Sequence, residues 1–330
     1  MKLATYLPRD AQSPSPGIGA VLDGALIDLN YAYARCLRSV DGELRAYALA
    51  DARIPRDMIG FLQGGQRAID AASRAIQFVR ESPADARGIS DERLRYDLRE
   101  VRLLAPIPRP GKILGAGRNY LDHAQEGAAP GQAVEIQPFP RGFVKVSSAV
   151  VGPDDPVVLP HVTAQLDYEV ELAVVIGTPG RYISKARAYD HVAGYTILND
   201  VSARDIQAAE SKYGNHMIAK NMDTLSPMGP WIVLKDEIED PMHLDVRLLI
   251  NGELRQHAST SSLIHDIPTM IERWSWGTLE PGDVIATGTP AGVALGGKHP
   301  YLRAGDLMEC AVEKVGELRN RVVAEPEAGG

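Results

Sequence analysis

Two rhythms of apolar residues run along the chain. In the first thirty residues "KLATYL", "IGAVLDG" and "ALIDLN" form short apolar runs set off by Gly and Pro, which predict three short strands. From about Ala32 to Val79 the rhythm turns helical, and "AIDAASRAIQFVRE" places apolar residues at i, i+3, i+4 and i+7, one helix face. The polar stretch "ESPADARGISDERLRYDL" then leads to "APIPRP", where Pro106, Pro108 and Pro110 hold the backbone extended and mark a boundary near residue 105. Beyond it strands dominate. "LDVRLLINGELRQHAS" reads as a hairpin, because Asn251-Gly252 suits a type I′ turn between two alternating runs. "LEPGDVIATG" reads as a Pro-Gly turn feeding a strand, and "LRAGDLMECAVEKVGELRNRVVAE" as two strands around Gly316. Helices are expected only after Asn119, around residues 202–212 and over "DIPTMIERWSW". The pattern is α+β and β-rich, with a smaller N-terminal α+β domain over 1–105 and a second domain over 106–330. The final "EPEAGG" is expected to fray.

One stretch breaks the usual division of faces. "AQLDYEVELAVVIG", residues 164–177, alternates Asp167, Glu169 and Glu171 with Tyr168, Val170 and Leu172 before a β-branched run. Alternation would put the three carboxylates on one face, roughly 6–7 Å apart. Anions so spaced repel when sheltered from water. Either that face is open to solvent or something positive sits on it.

Composition narrows the options. The chain has 330 residues, 45% hydrophobic and 24% charged, with a net charge of −8, so no global positive field exists to hold nucleic acid or an anionic membrane. Cys36 and Cys310 are the two cysteines, far apart and without metal-ligand spacing, which fits a reducing compartment. The N-terminus lacks a signal-peptide apolar region, and no run is long enough to span a bilayer. A cytoplasmic, soluble protein is expected.

Two phosphate-loop imitations fail on inspection. "GAGRNY" has Tyr120 at the third glycine position of a dinucleotide loop, and no βαβ unit follows. "GVALGGK" is followed by His299 and Pro300, which supply neither the hydroxyl nor the helix that a phosphate loop needs.

Four other stretches carry chemistry. Asp167, Glu169 and Glu171, with Asp200 at the end of the apolar strand "YTILND", form an oxygen-only set suited to Mg²⁺, Ca²⁺ or Mn²⁺. A solvated acidic edge would look the same. His123 and Glu126, at i and i+3 in "GRNYLDHAQEG", share one helical face, and a carboxylate beside imidazole raises its basicity. Lys220 sits in the Gly- and Pro-punctuated "IAKNMDTLSPMGP", as a shaped-site cation or a surface one. "DVIATGTPAGV" runs a strand into a loop whose backbone N–H groups, Thr287 and Thr289 could face an anion, as could a plain turn.

Taken together, the ordered segments "GRNYLDHAQE", "FVKVSSAVVGPDDPVVLP", "LDYEVELAVVIG", "GYTILNDVSARDIQ", "AKNMDTLSPMGPWIV", "NGELRQ", "LEPGDVIATGTPAGV" and "RAGD" resemble the fumarylacetoacetate hydrolase family over residues 106–324. The resemblance implies a mixed β-sandwich or β-roll catalytic domain, a homodimer, and one Mg²⁺ or Mn²⁺ per site. It implies Glu169, Glu171 and Asp200 as metal ligands with Asp167 beside them, and His123 and Glu126 as a water-activating dyad. It further implies Lys220, Arg204 and Gln207 as the polar cluster receiving negative charge, and Arg118, Tyr120 and Thr289 as substrate contacts. Asn215-His216 stands where many relatives carry a Gln-Trp pair, and the segment after Glu126, "GAAPGQAVEIQPFPRG", would form a lid. The expected substrate is a small 2-oxo acid. The expected reaction is hydrolysis of a C–C bond in an acylpyruvate by water activated at His123. Decarboxylation of an oxaloacetate-like acid and isomerisation of a hydroxymuconate-type diene are alternatives on the same site. A non-catalytic protein with a structural cation is the alternative of another class.

Overall fold

The computed structural model describes residues 1–9, 15–126 and 136–326. Residues 127–135 of the expected lid and 327–330 of the expected tail lie outside the described residues. The three N-terminal strands form over Lys2–Pro8, Gly17–Leu22 and Ala25–Asp28. Asp28 ends the third strand and caps the first helix, Leu29–Val40, by accepting from the Tyr31 N–H. Three more helices follow, Ala46–Arg53, Met58–Gln63 and Gln66–Glu81. The last turns Ala68, Ala71, Ala72, Ala75, Ile76 and Val79 inward, a stripe of small residues that lets it approach its neighbours closely.

Strand Lys2–Pro8 does not stop at its own hairpin. It pairs antiparallel with Ser226–Leu234, setting Lys2 opposite Val233 and Leu3 opposite Ile232, so the N-terminal strands extend a twelve-stranded sheet. From Ser226–Leu234 this sheet continues through Val192–Asn199, Val170–Ile176, Val284–Ala286, Ile113–Ala116 and Gly142–Lys145. A second sheet of five strands runs Glu253–Ser259, Asp245–Ile250, Leu307–Val312, Gly316–Ala324 and Val157–Leu159. Leu172, Val174 and Ile197 on one face of the large sheet share a core with Val246, Leu248 and Leu318 of the smaller one. Ala173, Val175 and Leu198 on the opposite face share another with Phe61, Ala72 and Ile76 of the N-terminal helices. Strand Val170–Ile176 is therefore covered on both faces, which is why its apolar residues run on without alternation.

The hairpin is present as expected, with Asn251 at φ 53° and Gly252 at φ 80° forming the turn between Asp245–Ile250 and Glu253–Ser259. Short helices lie at Leu121–Glu126, Arg204–Ser211 and Ile267–Trp274. The acidic stretch differs from a single continuous strand. Leu166–Asp167 pairs with Ser202–Ala203, and only from Val170 does the long strand begin. Between them side chains replace ladder partners: the Tyr168 N–H donates to Asp167 Oδ1 and the Glu169 N–H to Asn199 Oδ1. Both cysteines are buried and unpaired. Among the described residues no helix is long and apolar enough to cross a membrane.

Candidate active site

The break in the acidic stretch gathers its carboxylates instead of spreading them. Glu169 and Glu171 flank Val170 at the start of the long strand, and Asp200 follows the end of its neighbour, where Val170 is paired with Asn199. The Asp200 N–H donates to the Glu169 carbonyl at 2.8 Å, which ties the two ligand-bearing turns together. Glu169, Glu171 and Asp200 each offer an oxygen within 4.8 Å of the others, and all three are buried. Solvent does not cover this face; cations do. Lys220 Nζ lies 2.8 Å from Glu169 and 2.6 Å from Asp200, and Arg204 bridges Asp167 at 2.8 Å and Glu169 at 2.5 Å. Lys145, at the end of the strand Gly142–Lys145, reaches Asp200 at 2.5 Å and donates to the Lys220 carbonyl at 2.6 Å.

These partners are shared unequally. Burial would raise the Glu169 carboxyl, but Arg204 and Lys220 outweigh it and hold the group below its usual range. Glu171 accepts a 2.7 Å bond from the Gly288 N–H, and burial with Asp200 and Glu169 nearby pushes it well above the usual range. Lys220 is raised, since Asp200 and Glu169 overcome the cost of burying it. Lys145 is lowered, its burial outweighing the pull of Asp200.

His123 stands on the short helix Leu121–Glu126, with Nδ1 3.5 Å from Glu126 Oε2. Nδ1–H facing the carboxylate leaves Nε2 as the basic nitrogen. Burial works to raise Glu126, yet His123 and the Gly292 N–H, 3.2 Å from each carboxylate oxygen, lower it. His123, Glu169, Glu171, Arg204, Gln207 and Lys220 all line one cavity of about 250 Å³, with Arg118 and Thr289 also on its wall. That volume is below the roughly 300–1,000 Å³ of drug-sized sites and suits a compact acid.

A family model, fumarylacetoacetate (FAA) hydrolase C-terminal, matches residues 112–323 and so takes in every one of these side chains. The chain belongs to the fumarylacetoacetate hydrolase family. It is 44% identical to oxaloacetate tautomerase YisK of Bacillus subtilis (strain 168) over 82% of this chain and 87% of that protein. It is 34% identical to the mitochondrial oxaloacetate tautomerase Fahd2a of Rattus norvegicus over 98% of this chain and 92% of that one. Among solved structures, maleylpyruvate hydrolase from Sphingobium sp. SYK-6, in complex with manganese(II) and pyruvate, superposes with a TM-score of 0.71 at 31% identity. That alignment covers 99% of this chain and 100% of the other.

Within this family member the expected site residues fall into two groups. Glu169, Glu171, His123, Lys220, Arg204, Gln207, Arg118 and Thr289 line the cavity, with Asp200 off its wall but within 4.8 Å of the two glutamates and Glu126 behind His123. Tyr120 lies apart from the cavity wall: it is fully buried, its hydroxyl has no partner among the described residues, and burial beside Glu171 raises its pKa. The Thr289 hydroxyl donates to the Val170 carbonyl and accepts from Gln256, so it braces the ligand strand. The loop around it does hold an anion through Gly288 N–H, namely Glu171. Asp167 is likewise held from behind, by the Ala294 and Leu295 N–H groups of the false phosphate loop and by Arg204.

The donor set fits a hard divalent cation. Four buried carboxylates, Asp167, Glu169, Glu171 and Asp200, face three buried cations, Lys145, Arg204 and Lys220, leaving one negative charge unanswered at Glu171. A divalent ion would turn that excess positive, as an anionic substrate requires. Lys145 adds a third cation to Lys220 and Arg204, the two expected from the sequence.

Proposed function

We propose that this family member is a divalent-metal-dependent enzyme that interconverts the keto and enol forms of a small 2-oxo acid, with oxaloacetate as the substrate. One observation carries the reading: His123 of a His–Glu dyad lines one small cavity together with Glu169 and Glu171 of a buried all-oxygen triad, Lys220 and Arg204. The likeness to two oxaloacetate tautomerases at 44% and 34% identity supports it. Glu169, Glu171 and Asp200 would hold Mg²⁺ or Mn²⁺, which supplies Lewis-acid polarisation of a carbonyl and makes the neighbouring C–H acidic. His123 Nε2 takes the C3 proton and returns one to oxygen, while Glu126 holds the imidazole's orientation and stabilises its charged form. Lys220, Arg204 and Gln207 present donors to the carboxylate and to oxygen as its charge grows.

Hydrolysis of an acylpyruvate is the second reading. The same dyad can take a proton from water, and the structural relative named as a maleylpyruvate hydrolase aligns over nearly the whole chain. The test is a pair of assays on purified protein, treated with EDTA and then restored with Mn²⁺ or Mg²⁺. Enol absorbance of oxaloacetate reports tautomerisation, and loss of an acylpyruvate's diketone absorbance reports hydrolysis. Metal-dependent acceleration of the first, with the second slower, is expected. Hydrolysis alone would replace the first reading by the second, and metal-independent rates would overturn both.

A further inference from the structure

The metal triad would hold one end of a 2-oxo acid, and the cavity has a second cationic corner whose arginines pair with no carboxylate among the described residues. Arg118, Arg141 and His216 line the same cavity as Glu169, Glu171 and Lys220. Arg141 Nη2 lies 2.8 Å from His216 Nε2, so the always-charged guanidinium donates and the imidazole accepts in its neutral form. His216 Nδ1 is in turn 3.3 Å from Ser211 Oγ. Among the described residues neither Arg118 nor Arg141 makes an ion pair, whereas Arg204 is paired with both Asp167 and Glu169.

This corner is rigidly attached to the site. Phe143, two residues beyond Arg141, sets its ring 4.8 Å from Lys220 Nζ. The Arg141 carbonyl accepts from the Gly117 N–H at 2.8 Å, joining it to the turn that carries Arg118. Arg118 itself adopts φ 54°, a left-handed conformation that non-glycine residues hold mainly where surrounding structure enforces it, often at ligand sites. Burial, with Arg118 beside it, lowers the Arg141 pKa, and burial, Arg141 and Lys220 lower that of His216 against the opposing pull of Glu210.

We propose that Arg141 and His216, with Arg118, form a subsite for the distal carboxylate of a dicarboxylic 2-oxo acid, and that they set the preference for diacids over monoacids. The proposal rests on the reading of the cavity as a metal-dependent 2-oxo acid site. Two guanidinium forks can bind a carboxylate bidentately, which a lysine cannot do. The position where Asn215-His216 departs from the common family pattern thus becomes the place that reads substrate length.

The test is calorimetric binding to the Mn²⁺-loaded protein of two unreactive 2-hydroxy acids: malate, with a distal carboxylate, and lactate, without one. Wild type should bind malate more tightly than lactate. Arg141→Gln should weaken malate roughly 10- to 100-fold, the worth of a charge-assisted hydrogen bond, while lactate and Mn²⁺ affinities stay unchanged. Arg141→Lys should recover part of the loss, and His216→Asn should weaken malate alone by a smaller factor. Lactate binding with no advantage for malate, or equal loss of both ligands in Arg141→Gln, would overturn the subsite while leaving the 2-oxo acid reading intact. Failure of wild type to bind either acid would overturn both.

Discussion

Glu169 and Glu171 are two residues apart, on either side of Val170, but sit in opposite fields. Glu169 is paired with Arg204 and Lys220, while Glu171 makes no ion pair among the described residues and accepts from the Gly288 N–H. Removing the Glu169 charge leaves Lys220 with Asp200 alone and Arg204 with Asp167 alone, so Glu169→Gln should cost about 1–3 kcal/mol of stability and abolish Mn²⁺ affinity together. Glu171→Gln should behave differently. Glutamine still accepts from Gly288, and losing the charge relieves repulsion from Asp200 and Glu169. In EDTA-treated protein this variant should therefore melt at a higher temperature than wild type while binding no Mn²⁺. The pH dependence follows the same sign. A carboxyl raised in the folded state binds its proton more tightly there than in the unfolded chain, so metal-free wild type should lose stability as pH rises above the ordinary carboxylate range. Glu171→Gln should lack that loss. Melting curves from about pH 5 to 8 check this, and a lower melting temperature for metal-free Glu171→Gln would contradict the charge balance.

At the scale of elements, the short helix Leu121–Glu126 works only because the opposite loop is bare. A Cβ on Gly296 would stand 2.3 Å from Glu126 Oε1, so Gly296→Ala should displace the carboxylate. Turnover should fall toward that of Glu126→Gln, with Mn²⁺ affinity unchanged by calorimetry; full activity would show that Glu126 does not need this position. The elements themselves were largely legible, since alternation and helical periodicity report burial directly. Lys2–Pro8, the Asn251-Gly252 hairpin and Ile267–Trp274 all follow from it. The break at Tyr168 was not, because its partners Asn199 and Ser202 are distant in sequence. Lys145 was missed for the same reason. A lone lysine in "FVKV" looks like a strand's solvent face, and only folding places it 2.5 Å from Asp200. Tyr120, expected as a substrate contact from the family pattern, is fully buried and is not among the residues lining the cavity.

Across the whole molecule, the proline-marked boundary near residue 105 coincides with no gap in the core. Leu3, Ile54 and Phe61 pack in one cluster with Val175, Leu198 and Ile232, and strand Lys2–Pro8 covers the edge of Ser226–Leu234. Every described residue lining the cavity nevertheless lies at or after Ala116. We propose that residues 1–105 support the catalytic sheet and supply none of its chemistry. Calorimetric unfolding of the full chain should show one cooperative transition, and two well-separated ones would contradict a shared core. The most direct measurement at this scale joins fold to chemistry: oxaloacetate keto–enol exchange by Mn²⁺-loaded wild type and His123→Ala, with Mn²⁺ affinity measured on both. If a base held by Glu126 beside the triad performs the proton transfer, exchange should fall by about 10²–10⁴-fold with Mn²⁺ affinity unchanged. Exchange at the wild-type rate in a variant that still binds the ion would contradict it.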